Sequence, residues 1–176
     1  TLDYLNLSIQ DARIYNTERG GYTIDTFYVL NEDNEPIEND PALRERIKKE
    51  LHQALAQVDN YGEIINRRIP RRLKSFAIPT RTSISNDINT NTTILEVISP
   101  DRPGLLALIA RIFVEFNIQL SNAKIITLGE RVEDIFFITD AAGEPLSDPE
   151  LCLALQHEIC TQLDQQVEVS HANSSH

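Results

Sequence analysis

The sequence contains one long internal repeat, in which residues 5–41 match residues 116–149. The offset between matched residues narrows only from 111 to 108, so the copies align with few insertions. Solenoid repeats have periods of roughly 20–50 residues, so the chain is instead predicted to contain two copies of one small domain. The matched pairs are Asn6–Ile9 with Asn117–Leu120, Ala12–Ile14 with Ala123–Ile125, Asp25–Phe27 with Asp134–Phe136, Glu35–Ile37 with Glu144–Leu146, and Asp40–Pro41 with Asp148–Pro149.

The second copy has a longer front end than the first. Residues 92–116 precede its matched region, whereas only residues 1–5 precede that of the first copy. We therefore expect the first copy to lack its initial strand and most of its first helix. We also expect the chain to be a fragment of a larger protein.

Hydrophobic periodicity predicts the secondary structure of the second copy. Alternating residues favour strands at 93–98, 119–127, 132–139 and 166–170. Helical spacing favours one helix at 105–116 and another after Asp148-Pro149. The order strand, helix, strand, strand, helix, strand is the ferredoxin-like arrangement, an antiparallel sheet with two helices on one face. The predicted core residues of the two helices are Leu105, Ile109, Ile112 and Phe116, then Leu151, Leu155, Ile159 and Leu163.

The first copy supplies the later elements of the same fold. It has predicted strands at 7–17 and 22–30, a helix at 40–58 and a last strand near 80–85. The predicted fold class is therefore α+β, with two ferredoxin-like modules in tandem. The first module covers 1–86, the second covers 92–171, and 172–176 form a polar tail. The predicted core residues of the 40–58 helix are Leu43, Ile47, Leu51 and Leu55.

Charge is unevenly distributed along the chain. The net charge of −11 argues against nucleic acid or an anionic membrane as the main partner, and no apolar run is long enough to span a bilayer. Residues 64–86, the basic arm, contain six basic side chains and no acidic ones. The arm either lies against the acidic surface of its own protein or docks an acidic partner through Arg67, Arg68, Arg71, Arg72 and Lys74.

Motifs for catalysis and metal binding are absent from the sequence. Cys152 and Cys160 lie about 12 Å apart along the predicted helix, which is too far for a disulfide. Free thiols indicate a reducing, cytoplasmic compartment. The histidines have no metal-ligand spacing, so no metal site is expected. Asp25 and Asp134 share one repeat position, which we attribute to fold geometry rather than to catalysis.

One segment, residues 99–106, has the features of a ligand cradle. A strand ends and a helix begins here, and Gly104 in the first turn lets a ligand approach the backbone. The free N–H groups of a helix start favour a carboxylate, and Asp101 can accept a hydrogen bond from an ammonium group. Together these groups suit an α-amino acid. The alternative is that Asp101 only caps the helix.

Two groups of motifs resemble a known family. Asp-Arg-Pro-Gly-Leu at 101–105, followed by a helix and Asn117–Leu120, resembles the ACT domain, a ferredoxin-like regulatory module that binds amino acids. Residues 71–81 and 122–140 resemble, more specifically, the C-terminal tandem ACT region of bacterial bifunctional PII uridylyltransferase/uridylyl-removing enzymes. The resemblance covers nearly the whole chain.

The resemblance implies a regulatory role. In these enzymes a nucleotidyltransferase domain transfers UMP from UTP to the PII signal protein with Mg²⁺, and an HD-type hydrolase domain removes it. The tandem ACT region senses glutamine and shifts the balance toward removal. Neither set of catalytic motifs occurs in this chain, so the fragment is expected to be a sensor without enzymatic activity or cofactor.

The resemblance also implies which residues face the ligand. ACT ligands often lie between two paired modules, so both copies are expected to contribute. The implied residues are Asp101, Arg102, Gly104 and Leu105 from the loop and helix start, Gln119 and Asn122 from the next strand, and Ser8 and Asp11 from the first copy.

Other interpretations remain open from the sequence. The basic arm can make the chain a docking module without ligand sensing. A small enzyme of ferredoxin-like build, such as an acylphosphatase, is disfavoured, because Arg102 is the only arginine in the loop and Asp101 beside it repels a phosphate. The strand at 22–30 is expected to expose an apolar edge, and the chain to self-associate or swap segments there.

Overall fold

The computed structural model describes residues 2, 5–16, 23–31, 33–56, 78–102, 104–128 and 131–172, with the backbone alone described at 15, 16, 39 and 166–172. Seven strands and three α-helices lie in these ranges. In chain order they are β1 (Ser8–Asn16), β2 (Thr23–Leu30), α1 (Pro41–Ala56), β3 (Arg81–Asp87), β4 (Thr92–Pro100), α2 (Leu105–Glu115), β5 (Gln119–Lys124), β6 (Thr127–Leu128), β7 (Arg131–Thr139) and α3 (Pro149–Ala172).

All seven strands form one antiparallel sheet. Its order is β2-β1-β5-β7-β4-β3, and the short β6 pairs with β7 beyond the end of β5. The sheet is continuous across the repeat because β1 of the first copy lies beside β5 of the second. An antiparallel sheet with separate helices confirms the predicted α+β class, and the arrangement is that of ferredoxin-like ACT modules.

The two copies use the same turns and helix caps. After β2, Asn31 Oδ1 accepts hydrogen bonds from the N–H groups two and four residues later, at 3.0 and 2.8 Å. After β7, Asp140 Oδ1 accepts the equivalent pair at 2.8 and 2.9 Å. Asp40 and Asp148 then cap α1 and α3, each accepting a first-turn N–H at 2.9 Å. The repeat in the sequence is therefore a repeat of structure.

The first and second copies meet at a seam formed by β1 and β5. Each strand carries a bulge at the same repeat position, at Gln10 in β1 and at Ser121 in β5. The pairing across the seam is symmetric about Ala12 and Ala123, which are repeat matches and face each other, so the seam has the geometry of a twofold dimer contact within one chain. The facing pairs are Asp11 with Lys124, Ala12 with Ala123 and Arg13 with Asn122.

The edge beside β4 is filled by β3 rather than by residues 166–170. The prediction of a final strand at 166–170 is wrong, because these residues continue α3 to Ala172. The strand predicted near 80–85 exists as β3, but it pairs along its length with β4 of the second copy. With that edge occupied, the Gln- and Glu-containing segment after Leu163 keeps its helical preference.

The hydrophobic core lies in the second copy. Phe113 and Phe136 meet edge to face there, with ring centroids 5.5 Å apart. In the first copy, by contrast, no described residue of α1 is buried. The predicted α1 stripe is half-buried at Leu43, Ile47 and Leu51 and exposed at Leu55, so it does not form a core. The buried residues of α2 and α3 are Leu105, Leu108, Ile109, Ile112, Phe113, Leu155, Ile159 and Leu163.

β2 is an edge strand of the described sheet. Its counterpart in the repeat, β7, is flanked by β4 on one side and by β5 and β6 on the other, whereas β2 pairs with β1 alone among the described strands. Large apolar side chains on β2 are accordingly exposed, Ile24 by 57%, Phe27 by 42% and Tyr28 by 56%. The expected apolar edge is present, and self-association through it remains a prediction.

Candidate functional site

The loop between β4 and α2 has an open helix start. Gly104 is the N-terminal cap of α2, is buried, and has φ 81° and ψ 0°, in the left-handed region that favours glycine. The expectation that Asp101 is the N-cap residue is wrong, because α2 begins at Leu105 and Gly104 takes the N-cap position, where no side-chain cap bond is seen among the described residues. The first-turn N–H groups of α2 have no acceptors within the helix. The N–H of Leu105 donates to the main-chain oxygen of Arg102, before the helix, at a long distance of 3.4 Å. This end of α2 favours a carboxylate.

Two acidic residues lie on the elements that meet at this end of the sheet, one in the loop and one in β7. Asp101 is half-buried in the loop, and Asp134 lies on β7, opposite Val97 and only 1% exposed. Asp134 Oδ1 accepts a hydrogen bond from the N–H of Ile126 at 3.3 Å, and its Oδ2 is buried without a partner in the described part of the chain.

The surroundings of Asp134 favour its protonated form. Burial raises the pKa of Asp134 to about 7, the bond from Ile126 opposes that rise, and the negative charge of Asp101 adds to it. Asp134 therefore titrates close to neutral pH, whereas an ordinary carboxyl group would be ionised throughout this range.

Arg102 is directed at α3. Its side chain is 6% exposed, and Nη1 donates to the main-chain oxygen of Leu163. Its Nε and Nη2 are buried without partners among the described residues. Burial lowers the pKa of Arg102 to about 10, against the opposing charge of Asp164. Asp164 in turn accepts hydrogen bonds from the N–H and hydroxyl of Thr80, at 3.1 and 2.6 Å. Arg102 thus ties the loop to α3 near the start of β3.

The strand register places the expected first-copy residues at the same end of the sheet as Asp101. β4 and β5 both end, and β7 begins, at this end. β1 begins there too, because Asp11 lies opposite Lys124 at the end of β5. β1 is about 14 Å to the side of β4, across β7 and β5. Ser8 and Asp11 are half-buried there; Ser8 Oγ accepts from Gln10 at 2.8 Å, and Asp11 pairs with Arg13 at 3.3 Å.

Gln119 lies at the opposite end of the sheet. It faces Thr139, at the far end of β7 from Arg131, which itself faces Pro100 next to the loop. Eight residues of strand separate the two positions, which is roughly 26 Å. Gln119 Nε2 donates to the main-chain oxygen of Ala141 at 3.2 Å. The structure therefore does not bring Gln119 to Asp101.

Asn122 lies on the face of the sheet turned away from the helices. It faces Phe137, and the next residue, Ala123, is buried on the helix side. Asn122 Oδ1 is buried and has no hydrogen-bond partner within the described ranges. Leu105, by contrast, is buried at the helix start itself. The expected residues thus fall into one group at the loop and one at the start of β1, with Gln119 at the start of β5 and Asn122 further along that strand.

Several expectations concern residues elsewhere. Arg67, Arg68, Arg71, Arg72 and Lys74 lie outside the described residues. Cys152 and Cys160 are free thiols, as expected. Where the chain is described, no three His, Cys, Asp or Glu side chains are grouped to hold a metal ion, and no helix has the length and apolarity needed to cross a membrane.

The burial of Asp134 was not predicted from the sequence. The repeat explained Asp25 and Asp134 together, yet Asp25 is exposed on β2 and Asp134 is buried on β7. The available signal was the alternation of β7, in which Val132, Phe136 and Ile138 are buried core residues and Asp134 shares their spacing.

Comparisons with known proteins identify the domain. Residues 88–166 match the sequence profile of the ACR family N-terminal ACT domain. The chain is 51% identical over 174 residues to the bifunctional uridylyltransferase/uridylyl-removing enzyme of Stutzerimonas stutzeri, covering 99% of this chain and 19% of that protein. The proteins of the same name from Pseudomonas fluorescens and Azotobacter vinelandii are 54% identical over 170 residues and 53% over 162. They cover 97% and 92% of this chain and 18% of their own lengths.

No solved structure matches the chain. The chain spans about a fifth of the length of the relatives it matches. The profile match over residues 88–166 agrees with the structure of the second copy, which has an antiparallel sheet and a helix that begins after Gly104. The second copy therefore matches the ACT domain family over residues 88–166, and the chain is similar over nearly its whole length to one region of the bifunctional uridylyltransferase/uridylyl-removing enzymes.

Proposed function

We propose that this chain is a regulatory module that senses an amino acid, and that the amino acid is L-glutamine. The observation that supports it is the open N-terminus of α2 beside Asp101. The helix start offers N–H donors to a carboxylate, and Asp101 offers an acceptor to an ammonium group, so the pair matches the two charged groups of an α-amino acid. The choice of glutamine rests on the similarity to the uridylyltransferase enzymes.

The proposed signal is a change in how the two copies pack. Asp101 and Gly104 belong to the second copy, and Ser8 and Asp11 at the same sheet end belong to the first. A ligand that binds better to one relative arrangement of the copies shifts the population toward it, by the difference in its affinities for the two arrangements. Both sides of this shared end are present in the chain.

We further propose that the module regulates a longer cytoplasmic enzyme. In this proposal, regions outside the chain transfer UMP from UTP to the PII signal protein with Mg²⁺ and remove it again, and glutamine shifts the balance toward removal. The relatives' name, which joins a transferase with a uridylyl-removing activity, supports the two opposed reactions.

Calorimetric titration of the 176-residue chain tests the proposal. L-Glutamine should bind saturably, L-glutamate should bind at least tenfold more weakly, and Asp101→Ala should abolish binding. Asp25→Ala, at the exposed repeat position on β2, is the matched control and should bind as the wild type does. Absence of binding by every amino acid tried would refute the sensor function of this chain.

A further inference from the structure

We infer that Arg102 and Asp164 are positioning residues, through which a ligand at the β4–α2 loop strengthens the anchor of the link between the two copies. The link is the segment 57–80 between α1 and β3, of which the structure describes residues 78–80. The inference rests on the proposed amino-acid-sensing function. It deepens that function by naming the contacts that carry the effect of the ligand from the loop toward the first copy.

Arg102 fastens the loop to α3. Its side chain is 6% exposed, and Nη1 donates to the main-chain oxygen of Leu163, a fully buried residue. In the described part of the chain that oxygen is the acceptor the guanidinium has, since Nε and Nη2 have none there. Breaking the bond would leave a buried charged group without an acceptor, which is costly. A displacement of the loop is therefore passed on to α3.

The next residue of α3, Asp164, holds the end of the link. Its Oδ1 accepts hydrogen bonds from the N–H of Thr80 at 3.1 Å and from the Thr80 hydroxyl at 2.6 Å. Thr80 is the first buried residue that the structure describes after α1, since Ile78 and Pro79 are exposed. The loop and the link are thus anchored to consecutive residues of one helix.

Two further side chains of α3 hold the same stretch of chain. Cys160 Sγ donates to the main-chain oxygen of Thr80 at 3.7 Å, and Gln156 Nε2 donates to that of Thr82 at 3.2 Å. These residues and Asp164 recur every four positions, which places them on one face of the helix. This face fastens the start of β3, so a displacement of α3 reaches the link.

Both anchors lie at the end of the sheet that carries the candidate ligand residues. Arg81, next to Thr80, faces Ile98 near the end of β4. Asp101 and Gly104 follow β4 in the loop. A ligand bound at the open start of α2 holds this loop in one position. Through Arg102 it then also holds α3 and the end of the link.

Such a coupling has to act in both directions. If a bound ligand makes opening of the Thr80 anchor rarer by some factor, opening that anchor must weaken ligand binding by the same factor. We expect a factor of about ten, which lies within the range typical of coupled sites. The two effects can be measured independently, so their equality is a strict test.

The first measurement is amide hydrogen exchange of the 176-residue chain, with and without saturating L-glutamine. Exchange at Thr80 should slow about tenfold when the ligand binds. The matched control is the N–H of Asn89, which also donates to a carboxylate, Asp87 Oδ1 at 2.9 Å, but lies beyond the other end of β3. Exchange at Asn89 should change less than about twofold.

The second measurement is calorimetric titration of variants. Asp164→Ala removes the anchor and should weaken glutamine binding by the factor found for exchange at Thr80 in the wild type. Gln165→Ala, at the exposed next position of α3, is the matched control and should bind as the wild type does. At saturating glutamine, Arg102→Met should abolish the slowing at Thr80, because the donor to Leu163 is gone. Arg102→Lys keeps a donor and should preserve the slowing.

The outcomes separate this inference from the function on which it rests. If the wild-type chain binds no amino acid, the sensor function fails, and this inference fails with it. If glutamine binds but Thr80 and Asn89 respond alike, the sensor function stands and the coupling through α3 is refuted. Equal affinity of Asp164→Ala and wild type would refute it as well. The exchange measurement needs no variant, so the result does not depend on whether a variant folds.

Discussion

The buried carboxyl group of Asp134 predicts that stability falls as pH rises through the neutral range. The pKa of this group is about 7 in the folded chain and 3.8 as an ordinary carboxyl group. Between these values the unfolded chain has lost the proton and the folded chain still holds it. The free energy of unfolding therefore decreases as pH rises from about 4 to about 7, and levels off above that.

The magnitude follows from the size of the shift. A pKa difference of about 3 units corresponds to about 4 kcal/mol, at about 1.4 kcal/mol per unit. About 2 kcal/mol of this loss falls between pH 5.5 and pH 8. That range lies above the isoelectric point of about 4.7, so the chain keeps a net negative charge throughout the measurement.

The perturbation is Asp134→Asn, which cannot titrate. Urea unfolding of wild type and variant, followed by circular dichroism at several pH values, gives the free energy of unfolding of each. Other carboxyl groups contribute equally to both proteins, so subtracting one curve from the other isolates Asp134. The variant should gain about 2 kcal/mol relative to the wild type between pH 5.5 and pH 8. Asp25→Asn should show no such pH-dependent gain, since Asp25 is exposed.

One result would refute this reasoning. If the difference between wild type and Asp134→Asn were the same at pH 5.5 and pH 8, the pKa of Asp134 would be close to that of an ordinary carboxyl group. The side chain would then have to be hydrated or paired in solution.

Three further measurements test other parts of the structure. Gly143 has φ 82°, and a Cβ there would meet no atom within 4 Å. Gly143→Ala should therefore lower the free energy of unfolding by about 1–2 kcal/mol, through backbone strain alone. Gly143→Asn should lower it less in the same denaturation assay, because Asn34 has φ 61° at the matching position. Asp148→Ala should lower the free energy of unfolding by about 1 kcal/mol, because α3 loses its cap. Asp40→Ala uncaps a helix without buried residues, so it should leave the main thermal transition unchanged. Equal losses in the two variants would contradict this placement of the core. The exposed face of β2 should drive self-association that rises with concentration and is reduced by Tyr28→Lys, and sedimentation showing a monomer at all concentrations would contradict it.

Features set by neighbouring residues could be predicted from the sequence. The helices of the second copy, the Asp148 cap and the strands around the seam follow from spacing and capping chemistry, which act within a few residues. The final strand at 166–170 could not be judged in the same way. Alternation there is compatible with a strand, but whether it forms depends on the free edge of β4, and β3 takes that edge.

The candidate site was only partly predictable for a related reason. The motif around Gly104 identified the open helix start, because that feature is local. The separation of Gln119 from Asp101 depends on the direction and register of three strands, β5, β7 and β4. No single segment of the sequence contains that information. The burial of Asp134 depends on β4 and on the β5–β6 connection, which come from distant parts of the sequence, and its repeat partner Asp25 lacks that cover.

The seam between β1 and β5 has a mechanical consequence. Within the described ranges, three facing residue pairs join β1 to β5. By contrast, β1 pairs with β2, and β4 with β7, along most of their lengths. On warming, we expect this seam to open before the second copy, which holds the core, loses its structure. A small molecule bound across one end of the seam would slow the opening of the seam without changing the structure of either copy. Its binding would then slow amide hydrogen exchange at Ala12 and Ala123, while the exchange rate of Leu95 in the core would stay unchanged.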